Sequence, residues 1–186
     1  MIGKLFGILA LVTLVGCGGS NAATQPGTPG AEGTLTVAPS AMTTNIASNS
    51  SNATALAFKI SAAGSDLNCE RISVDLGTNN SVYTQMFSAI YLVDALGVRV
   101  SSSALNSNTV VVQSNGRLTV TLSNFNYVVL KGNSKEFTIK VDVRAQSAGN
   151  SPTVSIPSLG VRCVDGAGID LYAPSQSIEA TLHIVA

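Results

Sequence analysis

From Thr34 onward, apolar and polar residues alternate with a period of two, not the 3.6 of a helix. Leu35 and Val37 alternate with Thr34 and Thr36, and Leu56, Phe58, Ile60 and Ala62 with Ala57, Lys59 and Ser61. Ile72, Val74 and Leu76 take turns with Arg71, Ser73 and Asp75; Leu118, Val120 and Leu122 with Arg117, Thr119 and Thr121. The clearest run is Phe137, Ile139, Val141 and Val143, whose neighbours Glu136, Thr138, Lys140, Asp142 and Arg144 are all polar. Ile178, Ala180, Leu182 and Ile184 repeat the pattern near the end and read as one final strand reaching almost to Ala186. Strands with one apolar and one polar face belong to antiparallel sheets that are wet on one side.

Turn signals separate these runs: Gly77-Thr78-Asn79-Asn80, Ala95-Leu96-Gly97, Asn115-Gly116, Lys131-Gly132-Asn133, Ala148-Gly149-Asn150 and Asp165-Gly166. Asn115-Gly116 is a strong hairpin signal, because both residues tolerate positive φ. No convincing helix follows residue 17. Eight to ten short strands are expected in about 150 residues, giving an all-β, two-sheet antiparallel sandwich.

The chain before Thr34 is different. Met1 to Gly16 carries one charge, Lys4, followed by twelve uncharged residues from Leu5 to Gly16. As a helix these span about 18 Å at 1.5 Å per residue, against roughly 30 Å of hydrocarbon core. A basic start and a short apolar run describe a secretory signal peptide. Leu14-Val15-Gly16-Cys17 resembles the lipobox of bacterial lipoproteins. That resemblance implies cleavage before Cys17 and acylation of its sulfur and its new α-amino group. One acyl chain holds weakly at about 0.8 kcal/mol per buried CH₂, whereas the family's three anchor firmly. Gly18 stands where an Asp tends to retain such proteins at the inner membrane, so the resemblance favours the outer membrane or cell surface.

Gly18 to Gly33 holds no large apolar residue. Such a stretch buries too little surface to offset its ordering entropy and reads as a flexible tether a few nanometres long. The expected organisation is therefore a signal peptide at 1–16, a lipidated Cys17 and linker at 17–33, and a sandwich at 34–186.

Composition narrows the partners. The 186 residues suit one ordinary domain, and charged residues are only 11% of them. Lys plus Arg is 10 and Asp plus Glu is 10, so no basic excess is present to attract nucleic acid. Ser, Thr and Asn fill 53 positions, which makes a polar but mostly uncharged surface.

The run Tyr127 to Val143, with its Lys131-Gly132-Asn133 turn and long alternating strand, resembles a hairpin of immunoglobulin-like domains in bacterial surface proteins. Ile90-Tyr91-Leu92-Val93-Asp94 followed by Gly97 resembles another piece of them. The resemblance implies an immunoglobulin-like sandwich and no particular activity. The antibody-type Cys, Trp, Cys arrangement is missing, since the chain has no Trp.

Candidate chemistry is sparse. With Cys17 assigned to lipid, Cys69 and Cys163 remain, and an even pair in an exported domain reads as a disulfide. Two free thiols or a metal pair are the alternatives. Cys69 shares parity with Arg71 and Ser73, which places the bridge outward, clipping strand ends. His183, the one His, reads as an exposed strand residue and a poor centre for acid–base work. Gly-x-Ser-x-Gly and Cys-x-x-Cys are absent. Asp165 and Asp170, with Gly166 and Gly168, could join carbonyls around Ca²⁺, but a plain hairpin turn accounts for them and no EF-hand spacing is matched. Asp66 and Glu70 could add to such a site only if the bridge gathers the loops. Tyr83, beside Met86 and Phe87, could sit on a loop and stack on a sugar, though core packing explains most aromatics. Asn49-Ser50-Ser51, Asn52-Ala53-Thr54 and Asn79-Asn80-Ser81 match the glycosylation sequon, as chance allows in so Asn-rich a chain.

The expected function is a non-catalytic, lipid-anchored envelope protein with a structural, assembly or adhesion role. No cofactor and no metal is expected. Its partners would be the membrane, through the anchor, and surface proteins or its own copies, with a free edge of the final strand available for strand addition. Lipoprotein-derived pilins that polymerise by strand exchange resemble this plan, but their Arg cleavage site has no counterpart between Gly18 and Thr34. The alternative is a carbohydrate- or ligand-binding surface module.

Overall fold

A computed structural model describes residues 30–186. The apolar leader, Cys17 and most of the linker lie outside the described residues. Among the described residues the strands, in chain order, are β1 (Thr34–Pro39), β2 (Asn45–Ala47), β3 (Ala53–Ala63), β4 (Leu67–Asp75), β5 (Phe87–Asp94), β6 (Arg99–Ala104), β7 (Val110–Val112), β8 (Leu118–Leu122), β9 (Tyr127–Val129), β10 (Ser134–Val143), β11 (Thr153–Ile156), β12 (Val161–Val164), β13 (Asp170–Ala173), β14 (Ile178–Thr181) and β15 (His183–Val185). The only helical pieces among the described residues are a π turn at Val82–Met86 and a 3₁₀ turn at Ala145–Ser147.

These strands form the expected all-β antiparallel sandwich. The first sheet runs β1-β3-β10-β5-β6 and the second β13-β12-β4-β11-β14, with β8 and β9 on the other side of β4 and β7 beyond β8. β10 is paired on both sides, to β3 and β5, so its alternation has the strongest support: Phe137, Ile139, Val141 and Val143 are all buried. Phe137 stacks on Phe58 at 5.7 Å between ring centroids and meets the edge of Tyr127, from the second sheet, at 4.8 Å. That contact ties the two layers at the core.

Fifteen strands replace the eight to ten expected, because parity along the chain does not report where a strand changes partners. The last alternating run is an example. β14 pairs with β11, the ladder stops at Pro152, which has no N–H to give, and β15 crosses to pair in parallel with β2. His183 N–H bonds Thr44 and Ser48 N–H bonds Val185 on one side, while Ile184 exchanges bonds with Gly149 and Asn150 on the other. Both edges of the final strand are occupied, so the free edge expected there does not exist.

The Asn115-Gly116 hairpin joins β7 to β8, but only Gly116 has positive φ, at 79°. Gly116 N–H bonds the Gln113 carbonyl and Gln113 N–H bonds that of Arg117, the pattern of a three-residue loop closed by a left-handed glycine.

Candidate functional site

β4 is the spine of the second sheet. Leu67 and Cys69 face inward, and so do Ile72 and Val74, which means the parity changes in between. Cys163 on β12 lies opposite Cys69 and Arg162 lies opposite Arg71, leaving Glu70 as an extra residue. The bulge at Glu70 turns Cys69 into the core, contrary to the outward placement its parity suggested. Cys69 and Cys163 are 1% and 0% exposed and joined as a disulfide. The bridge links neighbouring strands of one sheet on its inner face. It neither clips the surface nor spans the two sheets as the antibody-type bridge does.

The same bulge gathers charges on the outer face. Arg162 bonds Glu70 through Nη1 and Asp170 through Nη2, each at 2.8 Å. The Asp170 carboxylate, then Glu70, holds the Arg162 guanidinium above its usual value. Asp75, at the other end of β4, is buried and receives Arg117 through both Nε and Nη2, together with the Gly77 N–H at 2.7 Å.

Asp165 is held by backbone N–H groups alone. It accepts the N–H groups of Ile169 at 2.8 Å, Ala167 at 2.9 Å and, from 132 residues earlier, Gly33 at 2.8 Å. The Ile169 N–H above all, then those of Gly33 and Ala167, hold its carboxyl below the usual range. Gly30 N–H bonds the Gly166 carbonyl at 2.9 Å beside it. Gly33 has no room for a side chain: a Cβ there meets Ser65 Oγ at 2.6 Å and Leu67 Cδ2 at 2.9 Å. Residues 30–33, counted with the tether on composition, are therefore seated against the β3–β4 and β12–β13 turns.

The candidate carboxylates do not converge. Asp165 is taken up by backbone N–H groups, Asp170 and Glu70 by Arg162, and Asp66 by the Lys131 N–H at 2.7 Å. No group of three metal-ligating side chains is found among the described residues. His183 is exposed on β15, and its Nδ1 is 3.1 Å from Ser151 Oγ on an open surface. Tyr83 is partly buried against the core, while Met86 and Phe87 are buried, so these three make no exposed platform. Tyr91 donates to Asp142 and lies under the Arg99 guanidinium, 3.7 Å from the ring centroid; the bond to Asp142 chiefly raises its pKa.

Arg162 and Arg117 were not candidates on sequence grounds. Parity puts Arg162 on the outer face, but its partners follow only once Cys163 is known to face Cys69. A groove of about 610 Å³ opens between β1 and the β13–β14 edge, lined among others by Leu35, Val37, Leu159, Tyr172 and Ile178. Among the described residues, no helix is long and apolar enough to cross a membrane.

No family model and no curated protein matches this chain. Several solved structures are similar in shape. One is AvmM, described as catalysing macrocyclization in alchivemycin A biosynthesis, at 4% identity and TM-score 0.42, covering 86% of this chain and 90% of that one. BslA, a bacterial hydrophobin, is 15% identical with TM-score 0.29 and covers 86% and 99%. Self-complemented MyfA, the major subunit of Myf fimbriae from Yersinia enterocolitica, is 13% identical with TM-score 0.24 and covers 83% and 99%. At these scores none assigns a family or lends an activity.

Proposed function

We propose that this chain is an exported lipoprotein whose sandwich, carried on a lipidated Cys17, serves a structural, assembly or adhesive role at the cell envelope without catalysis. One observation carries the reading: the buried Cys69–Cys163 bridge. Disulfides persist in oxidising compartments outside the cytosol. The bridge consumes two of the three cysteines and leaves Cys17, at the end of the apolar leader, for acylation. The carboxylates and arginines described above hold turns and strands together, which suits a scaffold.

The test is metabolic labelling with palmitate followed by cell fractionation, comparing the unaltered chain with Cys17→Ala. The reading expects label and envelope association in the first and neither in the second. An unlabelled chain in the cytosol with its leader intact contradicts it.

A second reading, a ligand-binding surface module, is favoured by the groove between β1 and β13–β14 and by Tyr172, 44% exposed at its rim. Glycan-array binding abolished by Tyr172→Ala supports it, and an array without signal removes it.

A further inference from the structure

The two ends of the sandwich carry different turns. Gly30, the first described residue, lies at the end built by the β3–β4, β9–β10 and β12–β13 turns. Gly30 bonds Gly166, Gly132 bonds Ala62, and Lys131 bonds Asp66, so these turns stand side by side. The described chain therefore begins at this end.

Apolar side chains stand in water there. Ile169 is 47% exposed and Leu130 41%. The β5–β6 turn points the same way: Asp94 is opposite Phe137, three residues past the Ser134 start of β10, and the chain continues beyond it toward that end. This turn presents Leu96 at 87% and Val98 at 57% exposure. At the opposite end the turns read Ser48-Asn49-Ser50-Ser51-Asn52, Gly77-Thr78-Asn79-Asn80-Ser81 and Ser114-Asn115-Gly116, with no large apolar residue in the turns themselves; the exposed apolar residues near them, Val111 at 58% and Val112 at 61%, belong to strand β7 and not to a turn tip. Register places them there: Ala53 pairs with Val141, and Thr119 with Asp75 at the far end of β4.

We propose that the Leu96, Leu130 and Ile169 tips rest in the lipid surface to which Cys17 is attached, so that the sandwich stands on the membrane by its tether end and shows its Asn- and Ser-rich turns outward. This rests on the anchored reading above and adds an orientation and a contact to it. The occupant is a lipid surface because the described chain begins, at Gly30, at the end that carries these tips and Cys17 stands a short tether before it in sequence. Twelve residues lie between Cys17 and Gly30, which for a chain of this composition gives an r.m.s. end-to-end distance of about 20 Å. β3, at eleven residues, is already about 36 Å long, so the tether end is the one held near the anchor. A tethered tip meets the surface at high effective concentration, and a few exposed aliphatic side chains then suffice.

The chain has no Trp, so a single Trp reports one position. Full-length lipidated Leu96→Trp, Ile169→Trp and Ser114→Trp proteins are placed in vesicles of phosphatidylethanolamine and phosphatidylglycerol, with and without acyl-brominated lipid. Leu130→Trp replaces any tip variant whose far-UV spectrum departs from the unaltered chain. The expected result is tip emission quenched about twofold or more, with Ser114→Trp unchanged, as for side chains at the headgroup–acyl boundary. Equal or absent quenching at all positions, with acyl mass present on Cys17, overturns this contact and leaves the anchor standing. A Cys17 without acyl mass overturns both.

Discussion

Removing the Cys69–Cys163 bridge measures what the second sheet owes to it. The cysteines are 94 residues apart in sequence, and the chain-entropy relation gives about 4.7 kcal/mol at 25 °C for closing a loop of that size. A domain of this kind has roughly 5–15 kcal/mol of total stability, so the bridge supplies about a third or more. The Cys69→Ala/Cys163→Ala chain should show a urea midpoint lowered by that free energy, and a melting temperature lower by about 10–20 °C at 2–4 °C per kcal/mol. The urea m-value should also rise, because the unbridged unfolded chain exposes more surface. Reduction of the unaltered chain is the companion arm, since it leaves both sulfurs in the core. A loss below about 1 kcal/mol in both arms, with m unchanged, would refute the reasoning: the bridge would then not constrain the unfolded chain.

Three further outcomes follow from the charge pairs and the core. Arg117→Ala strands the buried Asp75 carboxylate and should cost about 2–3 kcal/mol, whereas Asp75→Ala frees a half-exposed guanidinium to water and should cost about 1, both read by urea unfolding; equal losses contradict that asymmetry. Asp165 has a folded pKa below its unfolded one, so its stabilisation is complete above the ordinary aspartate value near ~3.9 and is lost as pH falls through the lowered value. Amide exchange at Gly33, Ala167 and Ile169 should therefore accelerate in acid before the core opens, and Asp165→Ala should produce the same acceleration at neutral pH. Phe137→Ala should cost about 3–5 kcal/mol, and a double-mutant cycle with Tyr127→Ala should return a coupling of about 0.5–1.5 kcal/mol, because those rings join the two sheets.

How much of this was legible differs from strand to strand. β10 was plain, because it is paired on both sides and one of its faces is entirely buried, so its period of two survives intact. β4 was half legible. Alternation along Ile72, Val74 and Leu76 is real, but a single extra residue at Glu70 reverses the parity before it, and no local signal marks that bulge. The error about Cys69 follows from it. The C-terminal run kept its parity while changing sheets at Leu182, since inward positions stay inward whichever strand lies alongside. Among candidate residues, the pairing of Cys69 with Cys163 was legible from cysteine number once Cys17 was set aside. The Asp165 hub was not, because its decisive partner, Gly33, is far away in sequence and contributes only a backbone N–H. Arg162 was hidden for a related reason: its two carboxylates come from strands whose register depends on the bulge.

Where the chain goes and how its three cysteines are used decide the matter. Intact-mass spectrometry of the native mature protein reads both at once. The account predicts a chain beginning at Cys17, heavier by its acyl groups and lighter by the two hydrogens of a Cys69–Cys163 bridge. A mass that begins at Met1, carries no acyl group and retains all three thiols would contradict it.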